Sequence, residues 1–206
     1  MYRSKAQIEK KLSQAKYILK EMQKFRDKIF VNNGVDPETG VHPLQVKISS
    51  FLALTRSVLQ YAYKEAKEKK QITEYEKIVN KHPIIKIFKG LRDIDIHENI
   101  IGIYTTIYLK SKIPKMETHK NEKTESKTEK AKIIYQITRP LTITNELIAE
   151  LRKKGQTELA DAAQKGKPLY VPVEFEGETD LFVLCEKYIS NLEELVSELI
   201  KKGIVT

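Results

Sequence analysis

The sequence predicts a mainly helical fold of the α+β class, on three observations. Apolar residues recur at steps of three, four and seven along the N-terminal half and again at the C-terminal end, the spacing of helices with one buried face. One stretch near the middle, residues 100–109, is instead rich in β-branched and aromatic residues, which suit a pleated surface. The 206 residues, 40% hydrophobic and 32% charged, suffice for one sizeable core with a well-solvated surface rather than for two fully independent domains.

The first helix is expected over residues 5–30, where Ile8, Leu12, Ala15, Leu19, Met22 and Ile29 form one stripe and Ser4 with Gln7 supplies a capping box. Its other side carries Lys16, Lys20, Lys24 and Lys28. This gently winding basic row reads either as a solvated face or as a set of phosphate contacts. Asn33-Gly34 and Asp36-Pro37-Glu38-Thr39-Gly40 are turn chemistry. A second helix opens at Pro43 and runs to about Lys70; apolar on most sides at first, it is expected to be the central one. Thr73 with Glu76 reads as a capping box that starts a third helix containing Tyr75, Ile78 and Val79. Pro83 interrupts it, and a short apolar turn from Ile84 to Phe88 is expected to end at Gly90.

The β-rich run from Ile100 to Leu109 predicts a strand, with a returning strand over residues 131–138. Between them, residues 111–131 are Lys, Glu, Thr and Ser with almost nothing to bury, so they cannot offset their ordering entropy and should form a mobile charged linker. Thr144 can cap a short helix through Leu147, Ile148 and Leu151, and Gly155 and Gly166 bound a second, Ala-rich one. Tyr170 to Phe175 alternates as a strand, with Pro172 implying an edge. From about Thr179 the pattern through Leu184, Tyr188, Leu192 and Leu199 predicts a long amphipathic helix ending near Gly203.

Charge and cysteine usage narrow the setting. The net charge of +9 is concentrated: residues 1–30 carry +6 and residues 110–132 carry +4, which leaves the rest near neutral. Much of the positive charge beyond the first helix therefore belongs to the expected linker rather than to a groove. No apolar run approaches a membrane span, and the start Met-Tyr-Arg-Ser-Lys-Ala lacks the apolar stretch of a secretory signal. The single cysteine, Cys185, has no partner for a disulfide or a paired zinc site, which fits a reducing cytoplasm.

Histidine is the natural acid or base near neutral pH, and the chain has four. His42 and His82 each precede a proline at a helix start, where turn or capping roles are common, and His119 falls in the linker. His97 stands beside Arg92, Asp93 and Asp95 in the segment Gly90-Leu91-Arg92-Asp93-Ile94-Asp95-Ile96-His97-Glu98. This R-x4-H arrangement, with Asp after the Arg and two long helices before it, resembles the HEPN superfamily of small helical proteins, many of which are ribonucleases. The resemblance covers roughly residues 5–98. It implies a HEPN-like helical bundle of residues 1–99 with 178–206, into which residues 100–177 are inserted as a small β-containing unit.

The resemblance further implies a homodimer that brings two motifs together over one RNA strand, with no cofactor and no metal. His97 is then the general base or acid at the ribose 2′-hydroxyl and the leaving oxygen, and Asp93 orients a neighbour. Arg92 holds the phosphate, for which its planar donor fork and permanent charge are suited. Two functions fit. One is an endoribonuclease of a toxin or defence type, with a cognate antitoxin as possible partner; the other is a non-catalytic module that binds a nucleotide, RNA or protein through the same groove. A third reading leaves Arg92 in a salt bridge to Asp93 or Asp95 with His97 satisfied at a helix start.

Helical geometry constrains the motif. In one straight helix, residues 92 and 97 differ by about 140° around the axis and about 7.5 Å along it, and so do not share a face. A break at Gly90, followed by a new short helix capped by Asp95 with Glu98, is the expected way to bring them together, with free N–H groups near a phosphate. Elsewhere, Glu174, Glu176, Glu178 and Asp180 read as a solvated acidic turn and helix start, where acids are favoured. Tyr61, Tyr63, Tyr75, Tyr104 and Tyr108 read as core edges or as stacking surfaces for bases. No Gly-rich phosphate loop and no HExxH motif is present.

Overall fold

The structure, a computed structural model, describes residues 4–26, 43–98, 102–108 and 132–206. The turns at Asn33 and Asp36, the linker 111–131, His42, His119 and Lys28 lie outside the described residues. The fold is mainly helical with a small antiparallel sheet, as the α+β reading expects. Helices α1 (Ser4–Gln23), α2 (Pro43–Glu68), α3 (Ile72–Asn80), α4 (Pro83–Glu98) and α7 (Leu181–Lys201) pack together as a bundle. Strands β1 (Gly102–Tyr108), β2 (Lys132–Leu141) and β3 (Leu169–Pro172) form the sheet, with α5 (Asn145–Lys153) and α6 (Thr157–Gln164) between β2 and β3. Among the described residues no helix is long and apolar enough to cross a membrane.

The predicted stripes are the buried ones. Ile8, Leu12, Ala15, Leu19 and Met22 of α1 face the core, as do Ile48, Phe51, Leu52, Val58, Leu59 and Ala62 of α2, whereas Val46, expected in the same apolar run, is exposed. Helix α2 shares the central place expected of it with α7, which meets the other four bundle helices and also the sheet. Ten residues of α7 are buried, from Leu181 to Leu199. Asp180 is the N-cap of α7: its carboxylate accepts from the N–H groups of Phe182 (2.9 Å) and Val183 (3.2 Å), satisfying two donors of the first turn. Gly203, at φ +69°, follows its last turn as expected.

Helix α1 ends at Gln23 and gives way to a turn over 24–26, short of the expected end at residue 30. Two further expected helix boundaries are corrected. Helix α3 begins at Ile72, before Thr73, and Gln71 stands at its N-cap without a side-chain bond, so the Thr73–Glu76 capping box is absent. The start is set instead by the turn out of α2: Lys70 takes a left-handed φ of +56° and the Gln71 N–H donates to the Ala66 carbonyl at 2.7 Å. The second correction bears on function. Helix α4 runs unbroken from Pro83 through Gly90 to Glu98. Glycine costs a helix interior about 1 kcal/mol relative to alanine, but Ile84, Ile85 and Phe88 before it and Leu91 after it are all buried. Keeping Leu91 in register with them outweighs the local cost. The break at Gly90 and the new cap from Asp95 and Glu98 are therefore not formed.

The sheet follows the predicted pattern. Strands β1 and β2 pair antiparallel from Gly102↔Thr138 to Tyr108↔Lys132, and β2 pairs with β3 from Thr138↔Pro172 to Leu141↔Leu169. Pro172 thus sits on an edge strand, where its missing N–H removes no ladder bond. Thr144 caps α5 by accepting from the Leu147 N–H at 3.2 Å, and Gly155 and Gly166, both at φ +74°, flank α6. Alternate residues of β2, Tyr135 and Ile137, point into the bundle's own core, where the Tyr135 ring meets Phe182 of α7 edge-on at 5.6 Å. The inserted unit and the bundle therefore share one hydrophobic interior.

Candidate functional site

Three helices meet around α4, and the rings of Phe51 (α2), Phe88 (α4) and Tyr188 (α7) fix it. Phe88 stacks on Tyr188 and meets Phe51 edge-on at 6.3 Å. Downstream of this contact the helix carries Arg92, half-buried, and Asp93, exposed. The described side chains on α4 run as far as Asp93, so Asp95 and His97 enter as helix positions only.

Because α4 is one helix, residue angles around its axis follow from the ordinary period of about 100° per residue. Position 97 then falls within about 60° of Lys86, Gly90 and Asp93 around the axis, three residues that are exposed. Arg92 lies about 140° away, on the line of Ile85 and Lys89. Two clefts flank the helix, and Lys86 lines both. Ile85, Lys86 and Lys89 line a cleft of about 410 Å³ whose other walls are Arg56 and Tyr63 of α2 and Tyr75, Glu76 and Asn80 of α3 and its end. Lys86, Gly90 and Leu91 line a smaller one of about 220 Å³ facing Arg139 and Glu174 of the sheet unit. One copy of the helix thus places the two predicted motif positions toward different sides.

The basic row on α1 is partly spent within the protein. Lys16 pairs with Glu193 of α7, and Lys24 pairs with Glu21 one turn away; Lys20 is exposed. His82 is buried, its Nδ1 2.8 Å from the Asn191 Oδ1 of α7, while its carbonyl accepts from the Ile85 N–H at 3.0 Å at the start of α4. It does the structural work expected of a residue before Pro83. The acids near β3 are similarly placed. Glu176 pairs with Lys187 at 3.1 Å, Glu178 accepts from the N–H groups of Thr179 and Asp180, and Asp180 caps α7. Among the described residues, no group of three His, Cys, Asp or Glu is placed to hold a metal.

The larger cleft is the feature that sequence reasoning missed. Tyr63 and Tyr75 are stacking candidates in the sequence, but nothing there joins them to Arg56 of α2 or to Lys86 and Lys89 of α4. In the fold Tyr75 is buried and its hydroxyl donates to the Leu59 carbonyl at 3.2 Å; burial pushes that phenol up to about 12. Tyr63 meets it edge-on, ring centroids 5.7 Å apart, and stays 43% exposed. The available signal was the spacing of Arg56, Gln60 and Tyr63, at i, i+4 and i+7, on a helix side that also carries polar groups. Tyr61 is half-buried, and the side chains of Tyr104 and Tyr108 lie outside the described part.

No family model, no curated protein and no solved structure matches the chain.

Proposed function

We propose that this chain is a HEPN-like RNA-binding protein that acts as a homodimer and cleaves RNA without a metal through Arg92, Asp93 and His97. The observation that carries the reading is the position of Arg92, half-buried on α4 one turn past the Phe88–Tyr188 stack, with Asp93 exposed beside it. A guanidinium so held is suited to a phosphate oxygen, where negative charge grows as the 2′-oxygen attacks phosphorus. In the reaction the imidazole of His97 takes the 2′-hydroxyl proton, a new P–O2′ bond forms and the P–O5′ bond breaks. The departing 5′-oxygen takes a proton from water and the imidazolium returns its proton to solvent, leaving a 2′,3′-cyclic phosphate. The angular separation of about 140° within one copy supports a composite site in which each motif contributes one group to each phosphate.

That same separation favours a second reading, a binding module without catalysis, if two copies do not bring the groups together. Incubating single-stranded RNA with the protein in excess EDTA separates the two. Cleavage lost in folded His97→Ala and Arg92→Ala supports the enzyme, and binding without cleavage leaves the module. Wild-type protein that neither binds nor cuts RNA excludes both.

A further inference from the structure

We propose that the cleft between α2, α3 and α4 is a nucleotide site, in which Arg56, Lys86 and Lys89 hold a phosphate and Tyr63 stacks against the base. Its volume, about 410 Å³, is in the range of small-molecule sites. Its charge is one-sided: three cations against the single carboxylate of Glu76. Several basic side chains elsewhere on the bundle pair with neighbours, as in Lys16–Glu193, Lys69–Glu65 and Lys81–Glu198. Among the described residues Arg56, Lys86 and Lys89 enter no such ion pair, although Arg56 is half-buried and close enough to the Tyr75 hydroxyl to favour its ionised form. Placing an anion there would relieve the mutual repulsion of the three cations.

The aromatic wall selects among anions. Tyr63 is steadied by its edge contact with the buried Tyr75 yet remains partly open, so a planar ring can lie against it without reordering the cleft. Gln60 and Asn80, also on the lining, each offer a donor and an acceptor, the pairing that a base edge requires. A phosphate ester joined to a heteroaromatic ring satisfies all three features at once, whereas inorganic phosphate leaves the tyrosine and amides unused. The nucleotide can arrive free or as one residue of an RNA strand. This site is separate from the α4 chemistry proposed above and does not depend on it.

Calorimetric titration of the full chain with AMP, adenosine, ribose 5-phosphate and a short oligoadenylate tests the assignment. AMP is expected to bind about tenfold or more tighter than either adenosine or ribose 5-phosphate, since each lacks one of the two contacts. Tyr63→Ala and Arg56→Gln should each weaken AMP by about tenfold, and Arg92→Ala should leave it unchanged. If circular dichroism shows that Arg56→Gln has lost its fold, Lys89→Glu on the exposed rim takes its place. Tighter binding of AMP than of the oligonucleotide identifies a free nucleotide as the source, and the reverse identifies a strand residue; either supports the site. The proposal is overturned if neither AMP nor the oligonucleotide binds, or if AMP binding survives Tyr63→Ala together with Arg56→Gln or its substitute. Loss of AMP binding in Arg92→Ala alone also overturns it, while leaving the RNA reading standing.

Discussion

Phe88 of α4 and Tyr188 of α7 lie face to face, their ring centroids 4.1 Å apart and their planes 21° from parallel, with Phe51 of α2 edge-on to both. This triad joins three helices one turn before Arg92, so the placement of the motif is a packing property of the core. Phe88→Ala empties a fully buried site and should cost about 3–5 kcal/mol of stability. Urea unfolding measures it, and a loss below about 1 kcal/mol would mean that the rings do not pin the helix as described.

Gly90 sits inside α4 with helical backbone, and a Cβ built there meets nothing within 4 Å. Gly90→Ala should therefore stabilise the protein by about 0.5–1 kcal/mol, through the lower entropy of its unfolded chain. A destabilised variant in thermal melts would show that the helix needs a flexible point at residue 90.

Asp180 supplies two cap bonds at the start of the most buried helix of the bundle. Asp180→Ala should cost about 1–2 kcal/mol, and Asp180→Asn most of a unit less, since an amide oxygen still accepts. Comparing the urea midpoints of the two variants checks the ordering.

These elements show what the sequence made legible. The stripes on α1, α2 and α7, the Thr144 cap and the edge position of Pro172 were readable because each depends on residues close together in the chain. The unbroken α4 was not, since a glycine and nearby cap-like acids favour a stop locally while Leu91 is buried in the shared core. The larger cleft was hidden for a related reason: Arg56, Tyr75 and Lys89 lie on three helices, and no local spacing tells that they face one another. The motif at Arg92 and His97 was legible as letters, but its angular arrangement required the helix.

Cys185 is fully buried in α7, and burial, reinforced by Glu186 and Asp180, pushes its thiol well above the ordinary range. An aromatic disulfide reagent at neutral pH should leave it unmodified in the native protein and titrate one thiol in urea. Rapid native labelling would place Cys185 at the surface instead.

Hydrogen bonding to Lys81 holds the Glu198 carboxyl below its ordinary 4.5, and Lys24 does the same for Glu21. A lowered folded pKa means that the stabilisation is present above the unfolded value and is lost as pH falls through the folded one. Both pairs are solvent-exposed, so salt should screen them. The urea midpoint of wild type should exceed that of a Glu21→Gln, Glu198→Gln double variant at about pH 6, and the gap should close at about pH 3 or in about 1 M NaCl. A gap that persists at low pH would assign the difference to something other than ionisation.

The seating of Tyr135 and Ile137 against Phe182 carries a practical corollary for anyone wishing to trim this molecule. Excising residues 100–177 to obtain a minimal helical unit would uncover the first turn of α7 and leave aromatic surface facing water, inviting self-association. The strands are thus a structural lid on the bundle's interior, and a shortened version would need polar replacements at Phe182 before it could stay dispersed.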